Sequence, residues 1–108
     1  MKALDTSLYF ITDSTGYTEE EFLYRVERAL QGGATLLQLR EKEKSTREYM
    51  ELAKKVHMVA KRYQVPLIID DRVDVALAVD AEGVHVGADD MPVADARRLI
   101  GADRIVGA

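Results

Sequence analysis

The chain has 108 residues, 47% of them hydrophobic, with 15 lysines and arginines against 19 aspartates and glutamates for a net charge of −4. That is one domain's worth of globular protein, and the acidic balance without a long basic stripe argues against a nucleic-acid partner. Zero cysteines exclude disulfides, thiolate metal sites and a cysteine nucleophile, and no apolar run reaches signal-peptide or membrane-spanning length, so a cytoplasmic protein with no membrane partner is expected.

The elements alternate from the start. Leu8 to Thr12 is a short apolar run that ends in the turn cluster Asp13-Ser14-Thr15-Gly16, which predicts a first strand. Thr18 and Glu21 have capping-box spacing, and Phe22, Leu23, Val26, Ala29 and Leu30 recur at helical intervals until Gly32-Gly33. Thr35 to Leu39 predicts the second strand. Ser45 and Glu48 form a second capping box, opening a long helix with the inward stripe Tyr49, Leu52, Ala53, Val56, Val59, Ala60 and Tyr63. After Pro66, Leu67-Ile68-Ile69 reads as a strand buried on both faces. Val73, Ala76, Leu77 and Val79 mark a short third helix and Gly83 to Val86 a fourth strand. Pro92 suits the first turn of a fourth helix reaching Ile100, and Ile105-Val106-Gly107 begins a fifth strand.

Four βα units plus the start of a fifth strand give an α/β fold, expected to be the first half of a TIM-type (β/α)8 barrel occupying residues 1–108, since a whole barrel takes ~250 residues. The alternative is a small open doubly wound sheet. Both architectures collect the carboxyl ends of the strands into one ligand-binding edge. Charged residues stop the strands there: Gln38-Leu39-Arg40-Glu41-Lys42, Ile68-Ile69-Asp70-Asp71-Arg72 and His85-Val86-Gly87-Ala88-Asp89-Asp90. Cations on one strand end and acidic pairs on the next two are the groups that a magnesium diphosphate needs.

These same stretches, with the earlier Tyr9-Phe10-Ile11-Thr12-Asp13 and the run Gly32 to Arg40, resemble the thiamine-phosphate synthase family over essentially the whole chain. The resemblance implies a βα barrel that joins hydroxymethylpyrimidine diphosphate to thiazole phosphate, releasing pyrophosphate with Mg²⁺. It implies Arg40 and Lys42 as catalytic, diphosphate-binding cations, and Gln38 as the pyrimidine-recognising amide. Asp71 and Asp90 take the positions of the magnesium ligands. Asp70 falls among the substrate-binding positions but departs from the family's usual asparagine, replacing a donor by a carboxylate that only accepts. Ala88 replaces a frequent glutamine. No protein nucleophile is implied, because departure of the diphosphate and attack by the thiazole nitrogen need only orientation and placed charge.

Structural roles compete at several of these positions. Glu41, Glu43 and Lys44 read as a solvated loop, Asp71 as a residue that could also cap the helix ahead of Val73, Asp90 or Asp89 as a favourable charge near the helix that Pro92 opens, and Asp74 and Asp95 as surface or first-turn acids. His85 reads as packed in the barrel wall, His57 as an outer-face residue, and Thr12 and Asp13 as possible mouth-lining residues. A related thiazole tautomerase is the near alternative, disfavoured by retention of Gln38, Lys42, Asp71 and Asp90. A non-catalytic half-barrel is the alternative of another class. The family's remaining thiazole and phosphate contacts have no counterpart within 108 residues, so this chain alone is expected to be inactive and to self-associate through its open edges.

Overall fold

A computed structural model describes residues 4–108, in which β1 (Tyr9–Asp13), α1 (Glu19–Gln31), β2 (Leu36–Arg40), α2 (Thr46–Arg62), β3 (Leu67–Asp70), α3 (Val73–Ala78), β4 (Gly83–His85), α4 (Val93–Ile100) and β5 (Ile105–Gly107) follow one another. The two long helices start where the sequence offers caps. Thr18 Oγ1 accepts from the Glu21 amide at 3.1 Å, and Ser45 and Glu48 complete a reciprocal capping box at 3.2 and 2.9 Å. Each such cap contributes about 1 kcal/mol.

The five strands are all parallel and lie in chain order, β1-β2-β3-β4-β5. A doubly wound sheet reverses its strand order at a switch point, and no reversal occurs here. Right-handed crossovers then put successive helices on the same face. Leu37, Leu39, Leu67, Ile69 and Val84 form one core cluster with Phe22, Val26, Tyr49, Val56, Val75 and Ala96 from the helices. Fully burying each large apolar side chain contributes about 1.5–3 kcal/mol. The alternate residues point to the other face, where the register aligns Ile11, Gln38, Ile68, Gly83 and Ile105 in one row. The structure is therefore an arc of barrel, helices outside and this row inside. Among the described residues no helix is long and apolar enough to cross a membrane.

Several elements differ from their sequence expectation. β1 and β2 lie one residue later than Leu8–Thr12 and Thr35–Leu39, so Arg40 ends a strand instead of following one; β4 stops at His85. Pro92 precedes α4 with extended backbone (φ −55°, ψ 144°) because its ring needs only φ fixed, leaving ψ free to start the helix at Val93. In α3, Leu77 is 40% exposed while Val75 is fully buried, because six residues are too few to impose a stripe against the pull of the sheet.

His57 corrects the sequence reading most clearly. It is buried, not on an outer face, and its Nε2 contacts both Glu82 oxygens at 2.9 and 3.1 Å. Glu82 also accepts the Leu67 amide at 2.7 Å, so one carboxylate ties α2 to the start of β3 from the residue preceding β4. Burial alone would raise the Glu82 carboxyl, but the His57 and Leu67 hydrogen bonds outweigh it and hold the carboxyl below its ordinary value.

Candidate functional site

The site grows from the carboxyl ends of β2, β3 and β4. Asp70 is the last residue of β3 and pairs in register with His85 of β4, so both side chains point to the inner face. Asp70 is buried, its Oδ2 lies 2.8 Å from Lys42 Nζ, and its Oδ1 lies 3.5 Å from His85 Nδ1. His85 Nδ1 is itself buried without a hydrogen bond, a polar atom aimed into the mouth. The close contact with Asp70, whose Oδ2 meets no hydrogen-bond geometry and is held by the ion pair, outweighs desolvation and raises the Lys42 ammonium; the charges of Asp70, Asp71 and Asp90 add to it. Lys42 thus senses all three acids at once.

Asp71 leaves the strand in a left-handed conformation (φ 69°) while its amide donates to the His85 carbonyl at 2.7 Å. That bend turns its carboxyl toward Asp90, which accepts the Gly87 amide on Oδ2 at 2.7 Å. A side chain at position 87 would crowd this contact, since a Cβ there would stand 3.1 Å from the same oxygen. Burial first, then the hydrogen bond and charge of Asp90, push the Asp71 carboxyl up. The Gly87 amide and Asp71 hold Asp90 down.

Two adjoining carboxyls beside a lysine are a donor set that fits Mg²⁺, which takes hard oxygens from one or two carboxylates and completes its shell with phosphate and water. Asp71 and Asp90 would hold the ion, and it would relieve the repulsion that now keeps Asp71 protonated to higher pH. Among the described residues no cluster of three or more acidic, histidine or cysteine side chains forms a cage for a metal.

Lys42, Asp70, Asp71 and Asp90 are therefore brought together, and His85, which the sequence assigns to the wall, joins them. Arg40 stands apart from this cluster, exposed at the end of β2 and opposite Asp13 in the register. Asp13 is exposed and held below its ordinary value, chiefly by the Thr15 hydrogen bonds, with Arg40 a lesser cause. Gln38 lies one inward position below Arg40, buried, and its amide donates to the Tyr9 hydroxyl at 2.6 Å. Its discomfort among apolar neighbours is met partly by Tyr9, whose role the sequence did not signal. Thr12 does not line the mouth: it is buried and its hydroxyl donates to the Gln38 carbonyl at 3.1 Å.

Two supports escaped the sequence reading. Glu41 is not solvated: its side chain is only 4% exposed and bonded to Ser14. Strand alternation was the available signal, because Arg40 and Lys42 cannot both face the mouth unless Glu41 faces away. Tyr49, read only as core, donates its hydroxyl between the Leu39 and Asp70 carbonyls at 2.9 and 3.0 Å. Desolvation raises that phenol, keeping it protonated and donating. Asp74 and Asp95 are first-turn acids paired with Arg72 and Arg98, as expected.

Residues 8–108 match the family model described as thiamine monophosphate synthase. The chain is 55% identical over 107 residues to a thiamine-phosphate synthase of Caldanaerobacter subterraneus subsp. tengcongensis, covering 99% of this chain and 50% of that protein. It is also 55% identical over 100 residues to one from Enterococcus faecalis, covering 93% and 47%. A solved thiamine phosphate pyrophosphorylase from Pyrococcus furiosus superposes with a TM-score of 0.85 at 44% identity, covering 95% of this chain and 49% of that one. The chain spans about half the length of the curated relatives it matches.

Proposed function

Given that the chain belongs to the thiamine monophosphate synthase family, we propose that it carries the diphosphate half of a site that joins hydroxymethylpyrimidine diphosphate to thiazole phosphate, yielding thiamine phosphate and pyrophosphate. The observation that supports this reading most is the convergence of Lys42 with Asp70, Asp71 and Asp90 at three consecutive strand ends.

In this reading Lys42 exchanges its contact with Asp70 for an oxygen of the diphosphate, and Arg40 closes on it from the β1 side. As the bond from the pyrimidine methylene carbon to the diphosphate oxygen breaks, its electron pair moves onto the leaving group, where both cations stabilise the growing charge. The thiazole nitrogen then forms the new carbon–nitrogen bond with its lone pair. Mg²⁺ held by Asp71 and Asp90 would supply further neutralisation of the diphosphate. Gln38, at the next inward position, offers an amide to the pyrimidine edge, with Tyr9 fixing its orientation. Asp70 keeps the unliganded Lys42 over the mouth, a task that an amide in its place would perform less strongly. A thiazole tautomerase, acting without diphosphate chemistry, would have no use for the acid pair beside Lys42.

A cytoplasmic location belongs to the same proposal, in keeping with small phosphorylated substrates. So does association of this 108-residue chain with itself, because β1 and β5 each have a single strand neighbour among the described residues.

Titration of magnesium pyrophosphate into the chain tests the site. Binding is expected to weaken about tenfold or more in Asp71→Ala and Asp90→Ala, the usual cost of disturbing a metal site. Equal affinity in all three proteins would remove metal ligation from the reading.

A further inference from the structure

Glu41 occupies the position between the two rim cations, and strand alternation turns it to the opposite side from Arg40 and Lys42. Its carboxylate is almost fully enclosed, and both oxygens are engaged by one residue of the preceding loop. Ser14 Oγ donates to Oε1 at 2.6 Å and the Ser14 amide donates to Oε2 at 3.2 Å, with Lys44 Nζ 3.9 Å away. Enclosing a carboxylate is costly unless donors replace its water, and charge-assisted bonds of this kind are strong for hydrogen bonds. The loop that supplies them is itself turned tightly. The Thr15 amide donates to Asp13 Oδ1 at 3.0 Å and the Tyr17 amide to the Ser14 carbonyl at 3.1 Å. Because β1 has only β2 beside it among the described residues, this contact is a principal tie between the β1–α1 loop and the rim.

We propose that Glu41 is a positioning residue whose carboxylate, locked onto Ser14, fixes the segment 40–42 so that Lys42 lies over Asp70 and Arg40 faces the mouth. Its meaning for catalysis rests on the diphosphate reading above. The positioning itself can be tested without any ligand.

Acetylation of lysine amines in the intact folded chain, read by mass spectrometry, reports where Lys42 sits. In the parent chain Lys42 should label slowly, since its ammonium is paired with a buried carboxylate at 2.8 Å. Glu41→Ala and Ser14→Ala should each raise Lys42 labelling several-fold and leave Lys55, paired with Glu19 on the helical layer, unchanged. Glu41→Gln still accepts through its amide oxygen and should restore slow labelling. In parallel, magnesium pyrophosphate affinity should fall about tenfold in Glu41→Ala, the scale of losing a supporting hydrogen bond behind a binding group.

Lys42 labelling equal to the parent in both alanine variants would overturn the proposal, as would a matching rise at Lys55, which would mean general loosening. If Glu41→Ala does not fold, Ser14→Ala decides the matter, since it removes the hydroxyl bond and leaves the Glu41 carboxylate with the Ser14 amide as a remaining donor. Should the labelling follow expectation while the parent chain fails to bind magnesium pyrophosphate, the diphosphate reading falls and the positioning role stands.

Discussion

Asp71 holds its carboxyl in place at a backbone cost, since a left-handed conformation (φ 69°) is disfavoured by roughly 1 kcal/mol for a residue with a Cβ. Asparagine tolerates that conformation, so Asp71→Asn separates strain from charge. Its urea stability without Mg²⁺ should equal or exceed the parent's, because the amide carries no charge to repel Asp90, while the stabilisation that the parent gains from added Mg²⁺ should vanish; an equal gain in both would deny Asp71 a ligand role. Asp71→Ala should lose the Mg²⁺ response and, in addition, about 1 kcal/mol of stability, because alanine lacks the local hydrogen bonds that ease the left-handed turn. Most of the acidic cluster was legible in the sequence, because short charged stops after apolar runs betray the sheet edge. The partners of Gln38, Glu41 and His57 were not, since Tyr9, Ser14 and Glu82 lie 25 or more residues away in the chain and announce no pattern. Arg40 shows the same limit from the other side: its place at the sheet edge could be read, but not that it would end β2 opposite Asp13 and leave Lys42 alone among the acids.

Elements are held in relation to one another by a few buried side chains, and these set the geometry of the mouth. Tyr49 of α2 reaches past the core to the last carbonyls of β2 and β3, the strands that end in Arg40 and Asp70. Tyr49→Phe keeps the ring but strands those carbonyls, and a loss of about 1–3 kcal/mol is expected in urea unfolding. At the other end of the strands Glu82 links His57 and Leu67, and its folded carboxyl is depressed below the ordinary 4.5. A depressed acid stabilises the fold fully above its unfolded pKa, and the contribution disappears as pH falls through the folded value. Unfolding midpoints measured from neutrality down through the region below 4.5 should therefore drop more steeply for the parent than for Glu82→Gln; parallel curves would show that the clamp carries no pH dependence. Gly83 permits the inner row to close, since a Cβ there would come within 2.5 Å of the Ile105 carbonyl oxygen and 2.8 Å of Ile68 Cδ1. The order and type of all nine elements were legible because capping boxes and apolar periods act locally. The single-residue shifts at β1 and β2, and the start of α4 after Pro92, were not, because strand ends are set by pairing with neighbours and not by the run itself.

At the scale of the molecule, the arrangement of apolar side chains is lopsided. The helix-facing side of the sheet is sealed, whereas at the β1 edge Leu8, Tyr9 and Ile11 are 50, 38 and 52% exposed. Ile11 shares its row with buried Gln38 and Ile68, so the exposure belongs to the edge and not to the face as a whole. A strand paired on one side only among the described residues, with apolar side chains, is a template for another chain, and natural sheets suppress this with inward-pointing charge. None stands at position 11. The 108-residue chain should therefore sediment and scatter light as a species heavier than 12.1 kDa, increasingly so with concentration. Ile11→Lys should move it toward the single-chain mass with little loss of stability, because the side chain it replaces is already half in water. Its effect should also be separable from the site: Lys42 and the three acids lie on β2, β3 and β4 or beyond, so magnesium pyrophosphate affinity per chain should hold if each arc binds by itself. Loss of affinity together with loss of association would mean that a neighbouring copy completes the mouth. A parent chain that runs as a single species of 12.1 kDa at every concentration would refute the self-association outright.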